Sequence, residues 1–127
     1  MLNESPVAPT IPVADIDRTI DFYENKLGLK KIEVETGEEA VMFEAGKGTM
    51  LYLYKRDPSK ADHTLASFNV DDIEKIVDEL AAKGVAFEQY DMPNGIKTDE
   101  RGIAAMGKTK AAWFKDPDGN ILGIAQM

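Results

Sequence analysis

The sequence predicts an α+β fold made of two tandem β-α-β-β-β modules, and three observations carry that prediction. First, the chain repeats itself. Val13-Ala14-Asp15-Ile16-Asp17-Arg18 matches Val70-Asp71-Asp72-Ile73-Glu74-Lys75, 57 residues later. Gly48-Thr49-Met50-Leu51-Tyr52-Leu53-Tyr54 matches Gly119-Asn120-Ile121-Leu122-Gly123-Ile124-Ala125, 71 residues later, so the second copy carries an insert. Second, the C-terminal stretch reads as a β-hairpin. Ala111–Lys115 and Ile121–Ala125 are strand-like runs separated by Asp116-Pro117-Asp118-Gly119-Asn120, where Pro presets φ and Gly accepts the positive φ that closes a turn. Third, each half contains one segment with apolar residues at helical spacing. The chain is read as a single domain over residues 1–127, with module 1 at about 1–60 and module 2 at about 61–127.

Each element has its own justification. Val7–Val13 reads as a short strand, and Pro9 and Pro12 put it at a sheet edge, where no ladder donor is missed. Asp15 is the expected N-cap of a helix with Ile16, Ile20, Tyr23 and Leu27 on one stripe, and Gly28 ends it. Strands are expected near Lys30–Glu35, Ala40–Ala45 and Thr49–Tyr54. The second half opens with a strand at Thr64–Val70, and Asp71 with Glu74 resembles a capping box. The helix stripe is Ile73, Ile76, Val77, Leu80 and Ala81, closed at Lys83-Gly84, with a strand at Val85–Tyr90. The long connection Asp91–Thr109, containing Met92-Pro93-Asn94-Gly95, Gly102 and Gly107, is either a functional lid or a surface excursion or piece of a dimer contact.

Composition narrows the function classes. The chain has 127 residues, a formal net charge of −8 and no cysteine. The charge argues against nucleic acid, whose phosphates require clustered Lys or Arg. No apolar run is long enough to span a bilayer and the N-terminus does not read as a signal peptide, so no membrane partner is expected. The lack of cysteine removes disulfides and thiolate chemistry and fits a cytoplasmic location.

Ile-Pro-Val-Ala-Asp-Ile-Asp-Arg-Thr-Ile-Asp-Phe-Tyr-Glu-Asn-Lys-Leu-Gly-Leu, from Ile11, and Trp-Phe-Lys-Asp-Pro-Asp-Gly-Asn, from Trp113, complete the pattern. With the two tandem modules, the chain resembles the vicinal oxygen chelate superfamily: glyoxalase I, the bleomycin-resistance proteins and the extradiol dioxygenases. The resemblance implies sheets that curve around a shared cleft, with helices outside. It also implies that metal-dependent members hold a divalent ion through four side chains, on the first and last strand of each module. Here those positions are Ala8, Tyr52, Leu65 and Gly123. Ala, Leu and Gly have no donor and a neutral phenol is a poor one, whereas a divalent ion needs several N, O or S ligands. No metal and no other cofactor is therefore expected.

Strand alternation places other residues toward the cleft. Thr10 shares the face of Ala8; Tyr54 and Met50 share that of Tyr52; His63, Ser67 and Asn69 share that of Leu65. Ile121 and Ala125 lie with Gly123, while Leu51, Leu53, Leu122 and Ile124 point the other way, under the helices. Such a lining, apolar and aromatic with a few hydroxyls and one amide, suits a small-molecule pocket, and Ala8, Gly123 and Ala125 leave volume for a ligand. The candidate ligand-binding residues are Thr10, Tyr52, Tyr54, His63, Leu65, Ser67 and Asn69. His63 is the one histidine and also fits a surface linker. Trp113 reads as sheet packing or a stacking surface, Asp116 and Asp118 as turn residues, and Glu33, Glu35, Glu38 and Glu39 as a solvated strand and turn. The expectation is a cleft protein that binds a small, partly apolar or aromatic molecule and forms a homodimer. The alternatives are an enzyme, a glyoxalase-like lyase or isomerase or a dioxygenase, with a displaced metal or acid–base chemistry from His63, Tyr52 or the 91–109 connection, and a purely interaction-based dimer.

Overall fold

The computed structural model describes residues 1–35, 37–57, 60–93 and 95–127; Thr36, Pro58, Ser59 and Asn94, with the turn position expected at Asn94, lie outside it. The chain divides into two compact units, Met1–Ser59 and Lys60–Met127. Each is a four-stranded mixed sheet with one α-helix between its first and second strands, in the predicted β-α-β-β-β order.

In the first unit, β1 (Thr10–Val13) leads to α1 (Ile16–Ile20), then β2 (Lys30–Ile32), β3 (Ala40–Glu44) and β4 (Met50–Lys55). The sheet order is β1-β4-β3-β2, with β1 parallel to β4 and the other pairs antiparallel. The prolines sit as expected: β1 is an edge strand, although it starts at Thr10 and not at Val7. Asp15 caps α1 by accepting from the Arg18 N–H at 3.1 Å. The helix then widens into a π-turn over Asp21–Lys26, closed by Leu27 N–H donating to the Phe22 carbonyl at 3.0 Å. Inward from this segment come Thr19, Phe22 and Tyr23, and Tyr23 stacks on Phe43 at 5.7 Å. Ile16, Ile20 and Leu27 are only half-buried. Thr19, Phe22 and Tyr23 follow one another at helical spacing, so the buried stripe runs through them and not through Ile16, Ile20 and Leu27. Ile11, Val13, Val41, Phe43, Leu51 and Leu53 complete this core. Each fully buried side chain of this size stabilises the fold by about 1.5–3 kcal/mol.

In the second unit, β5 (Thr64–Asn69) leads to α2 (Ile73–Ala82), then β6 (Ile103–Met106), β7 (Thr109–Lys115) and β8 (Ile121–Gln126), in the order β5-β8-β7-β6. The N-cap is Asp72, one residue after the expected Asp71; it accepts from the Lys75 N–H at 3.2 Å, and Gln126 Oε1 accepts from the Ile73 N–H at 2.8 Å. α2 packs on β7 and β8, burying Ile73, Val77 and Leu80 with Phe114, Leu122 and Ile124.

The strand expected at Val85–Tyr90 does not form. Only Phe87 bridges to Phe114, with Glu88 N–H donating to the Trp113 carbonyl at 2.8 Å. The fourth strand instead comes from the far end of the connection, as β6. The outer edge of β7 is thus shared: Trp113 and Phe114 meet residues 87 and 88, and Thr109–Ala112 meet β6. Between these two contacts the chain makes an excursion. Thr98 Oγ1 ties it to Gln89 and Tyr90, and Arg101 pins it to Glu74 and Asp78 of α2. At Gly102, φ is +87°, and a Cβ would lie 2.7 Å from the Phe87 Cβ, so the chain admits only glycine there. The final turn forms as predicted, with Gly119 at φ +83° and buried Asp116 accepting from the Asp118 and Asn120 N–H groups at 2.9 Å.

Candidate functional site

Cross-strand partners share a sheet face, so the register maps the surface of each sheet away from its helix. In the first unit, Ile32, Met42, Tyr52 and Thr10 form one row across all four strands. Ala40, Tyr54 and Pro12 form the next, and Lys30, Glu44 and Met50 a third. The alternation along β4 is as expected: Leu51 and Leu53 are buried under α1, whereas Met50, Tyr52 and Tyr54 stay half-exposed. Tyr52 and Tyr54 stack with centroids 6.3 Å apart and planes 19° from parallel. The Tyr52 hydroxyl donates to Glu38 Oε2 at 3.0 Å, and the Arg56 guanidinium lies 6.0 Å over the Tyr54 ring. The Tyr54 hydroxyl beside it raises the Arg56 pKa; burial opposes this and the Asp57 charge adds to the rise.

The second sheet's corresponding face is different. Ser67, Gly123 and Trp113 make one row, and Asn69, Ala125, Ala111 and Ala104 another. Trp113 is met edge-on by Tyr90 from the excursion, with centroids 5.4 Å apart. Burial raises the Tyr90 pKa above its ordinary value; the Glu88 charge adds to this and Lys115 opposes it. A bulge between Thr64 and Ala66 shifts the register of β5. It breaks the alternation that put His63 and Leu65 on the face of Ser67 and Asn69. Thr64 takes the place beside Gly123. The volume expected over Gly123 is filled: an added Cβ would meet Ser67 Oγ at 3.2 Å, Thr64 Cγ2 at 3.3 Å and Trp113 Cδ1 at 3.5 Å.

The structure therefore brings together Thr10, Tyr52 and Tyr54 on one sheet, and Ser67 and Asn69 on the other. Leu65 is half-buried at the bulge. His63 stands before β5 with a 69% exposed side chain, 3.9 Å from Asp62. Sequence reasoning missed Arg56 and the link from Tyr52 to Glu38. Arg56 had a signal, since it continues the parity of Tyr52 and Tyr54; Glu38 had none, because it is brought in by a loop. A groove of about 580 Å³ at one end of this sheet is lined by Asp15, Asp17, Glu38 and Lys55 among others. A smaller one of about 450 Å³ is lined by Lys55, Arg56 and Asp57, with Ala14 and Glu39.

The sequence pattern of the Glyoxalase/Bleomycin resistance protein/Dioxygenase superfamily matches residues 6–124. The chain belongs to this superfamily. Its relatives include the uncharacterized protein YraH of Bacillus subtilis (strain 168), 28% identical over 129 residues, covering 91% of this chain and 92% of that protein. Among solved structures it is similar to the glyoxalase family protein from Enterococcus faecalis, at 20% identity, with a TM-score of 0.72 and coverage of 98% and 99% of the two chains. It is also similar to TnmS3, an antibiotic binding protein from Streptomyces sp. CB03234, at 23% identity, with a TM-score of 0.65 and coverage of 97% of each chain. At these identities the two structures speak for the fold.

Within the superfamily pattern, the donor set does not fit a divalent ion. Ala8 and Leu65 offer no donor, and the Tyr52 phenol is engaged with Glu38. The space where a ligand at Gly123 would project holds Ser67, Thr64 and Trp113. Among the described residues no group of three or more His, Cys, Asp or Glu is placed to hold a metal ion. No helix among them is long and apolar enough to cross a membrane.

Proposed function

We propose that this superfamily member binds a small, partly apolar or aromatic molecule without the family's metal ligands. The observation that carries this reading is the stacked, half-exposed Tyr52–Tyr54 pair. Tyr52 shares a row with Ile32, Met42 and Thr10, Tyr54 one with Ala40 and Pro12, and Met50 lies in the adjoining row on the same face. Aromatic and thioether side chains with a few hydroxyls suit a ligand with a flat apolar body and few polar groups. On the second unit, taken by itself, Ser67, Asn69, Leu65 and His63 are further proposed ligand contacts. The antibiotic-binding description of TnmS3 is consistent with this class of ligand. The proposal includes a homodimer, for which the edge strands β1, β2, β5 and β6 supply surfaces to cover, and a cytoplasmic location, which the cysteine-free chain supports.

A thermal-shift screen of planar aromatic compounds against the full chain tests the reading. A saturable stabilisation that is lost in Tyr52→Ala and Tyr54→Ala is the expected result. Hits that stabilise both variants as well as the wild type would overturn it.

A further inference from the structure

From the arrangement around β4 we infer that the ligand of this face is an arene bearing an oxyanion, a carboxylate or its like, and that Arg56 recognises the anion. The inference rests on the reading of the Tyr52–Tyr54 face as a ligand surface. Residues 52, 54 and 56 follow one another at a spacing of two, so their side chains leave the same side of the chain. The stacked rings provide the flat apolar floor. The Tyr52 hydroxyl is committed to Glu38, which precedes β3 at the same end of the sheet as Arg56. The Arg56 guanidinium lies over Tyr54, 6.0 Å from its ring centroid.

The guanidinium is partnered by Tyr54 through its ring and hydroxyl, and because a guanidinium carries five N–H donors, further ones remain that match a carboxylate two bonds at a time. Among the described residues, the contacts of the Arg56 side chain are with Tyr54, and the Asp57 charge acts on it from beyond ion-pair distance. Its neighbour Lys55, by contrast, is paired with Glu39 at 3.3 Å. In a chain with 23 acidic and 15 basic residues, a fully charged guanidinium held in place by an aromatic ring and not by a carboxylate is available to a ligand anion. Arg56 also lines the smaller groove at this end of the sheet, together with the Lys55–Glu39 pair and Asp57, which leaves a substituent space beside the guanidinium. A ligand of this class would lay its ring along the tyrosines and turn its anion to Arg56. A cationic arene would be disfavoured at the same place.

The test uses the full chain, with naphthoate, naphthylmethanol and naphthylmethylammonium as probes in titration calorimetry at low and high salt. Wild type is expected to bind naphthoate roughly fivefold more tightly than naphthylmethanol, and the ammonium probe most weakly; that margin is what one exposed charge-assisted contact gives. High salt should shrink the preference. Arg56→Met should erase it while leaving naphthylmethanol binding and the melting temperature in place, and Arg56→Lys should retain part of it. Tyr54→Leu should weaken all three probes. Equal affinity of wild type for naphthoate and naphthylmethanol would overturn the anion selectivity and leave the surface reading standing, as would a preference that survives in Arg56→Met. Failure of both these probes to bind would overturn the surface reading, and the inference with it.

Discussion

The two sheets are built from the same strand order, β1-β4-β3-β2 and β5-β8-β7-β6, yet their helix-free faces have become different surfaces. In the first, two tyrosines stand half-exposed at the centre, and the fourth strand is the continuous segment Lys30–Ile32. In the second, the residue matching Tyr52 is Gly123, and Ser67, Thr64 and Trp113 fill the space over it. The fourth strand there is split by an excursion whose Tyr90 leans on Trp113. The ladder is what the repeat keeps; the side chains it displays are free to diverge. One half presents an aromatic surface, and the other fills the equivalent place with its own residues.

The excursion is where this contrast breaks most easily. Gly102→Ala forces a Cβ to within 2.7 Å of Phe87 Cβ at φ +87°. Overpacking and left-handed strain together should cost about 3–4 kcal/mol. Gly28→Ala, in the first unit, has a positive φ of +75° but open space, and should cost only about 1 kcal/mol. Urea denaturation of the two variants measures the difference. Equal losses would mean that the excursion yields without disturbing the Phe87–Phe114 contact.

The matched pair at the centre comes next. Gly123→Ala should destabilise by about 1–2 kcal/mol, because Ser67 and Thr64 must each give by a few tenths of an ångström while the new methyl comes into contact with Trp113. It should also shift the emission of Trp113, the one tryptophan of the chain. Tyr52→Ala should cost about 1 kcal/mol or less at its half-exposed position while weakening binding of an aromatic probe. A Gly123→Ala variant with unchanged stability and emission would show the second face to be as open as the first.

How far the sequence discloses this difference depends on the element. The hairpin at Asp116–Asn120, the edge position of β1, the Asp15 cap and the burial of Leu51 and Leu53 are legible because each follows from local chemistry or from alternation. β6 is not. Ile103-Ala104-Ala105-Met106 is mostly residues that favour helices, and it is a strand because β7 offers it an unpaired edge. Val85–Tyr90 has the better strand pattern, but its chain leaves the sheet after Glu88. The β5 bulge is equally silent. It adds one residue against β8 and moves Thr64, not Leu65, beside Gly123, and no residue type in Thr64–Asn69 announces it. For the candidate site, the tyrosine face could be read from parity. Of its charged neighbours, Arg56 continues that parity just past the strand, whereas Glu38 arrives from a loop and had no signal.

A smaller difference between the halves is expected at their matched turns. Gly48 and Gly119 are 71 residues apart and precede matching strands, with φ of +77° and +83° and open space at each. With no contact to relieve, the cost of a side chain at either is backbone strain alone. Gly48→Val and Gly119→Val should therefore destabilise by similar amounts, about 2 kcal/mol each, and additively in the double variant. A large difference between them would show that one turn relaxes while its counterpart cannot.

The smallest effect concerns Tyr90, the residue that most distinguishes the second face. Burial holds its pKa above the ordinary tyrosine value, with the Glu88 charge adding to the rise and Lys115 opposing it. A raised folded-state pKa means that the neutral phenol is favoured in the folded chain. The associated stabilisation is present below the unfolded value of about 10 and is lost as pH rises through the folded value. An absorbance titration of phenolate formation, taken as the difference between wild type and Tyr90→Phe, should show one late-titrating group. Glu88→Gln should bring that titration down, and Lys115→Met should push it up, because each removes one of the two charges acting on the phenol. If Tyr90 titrates at the ordinary value and neither change moves it, the ring does not rest against Trp113, and the second face would be open like the first.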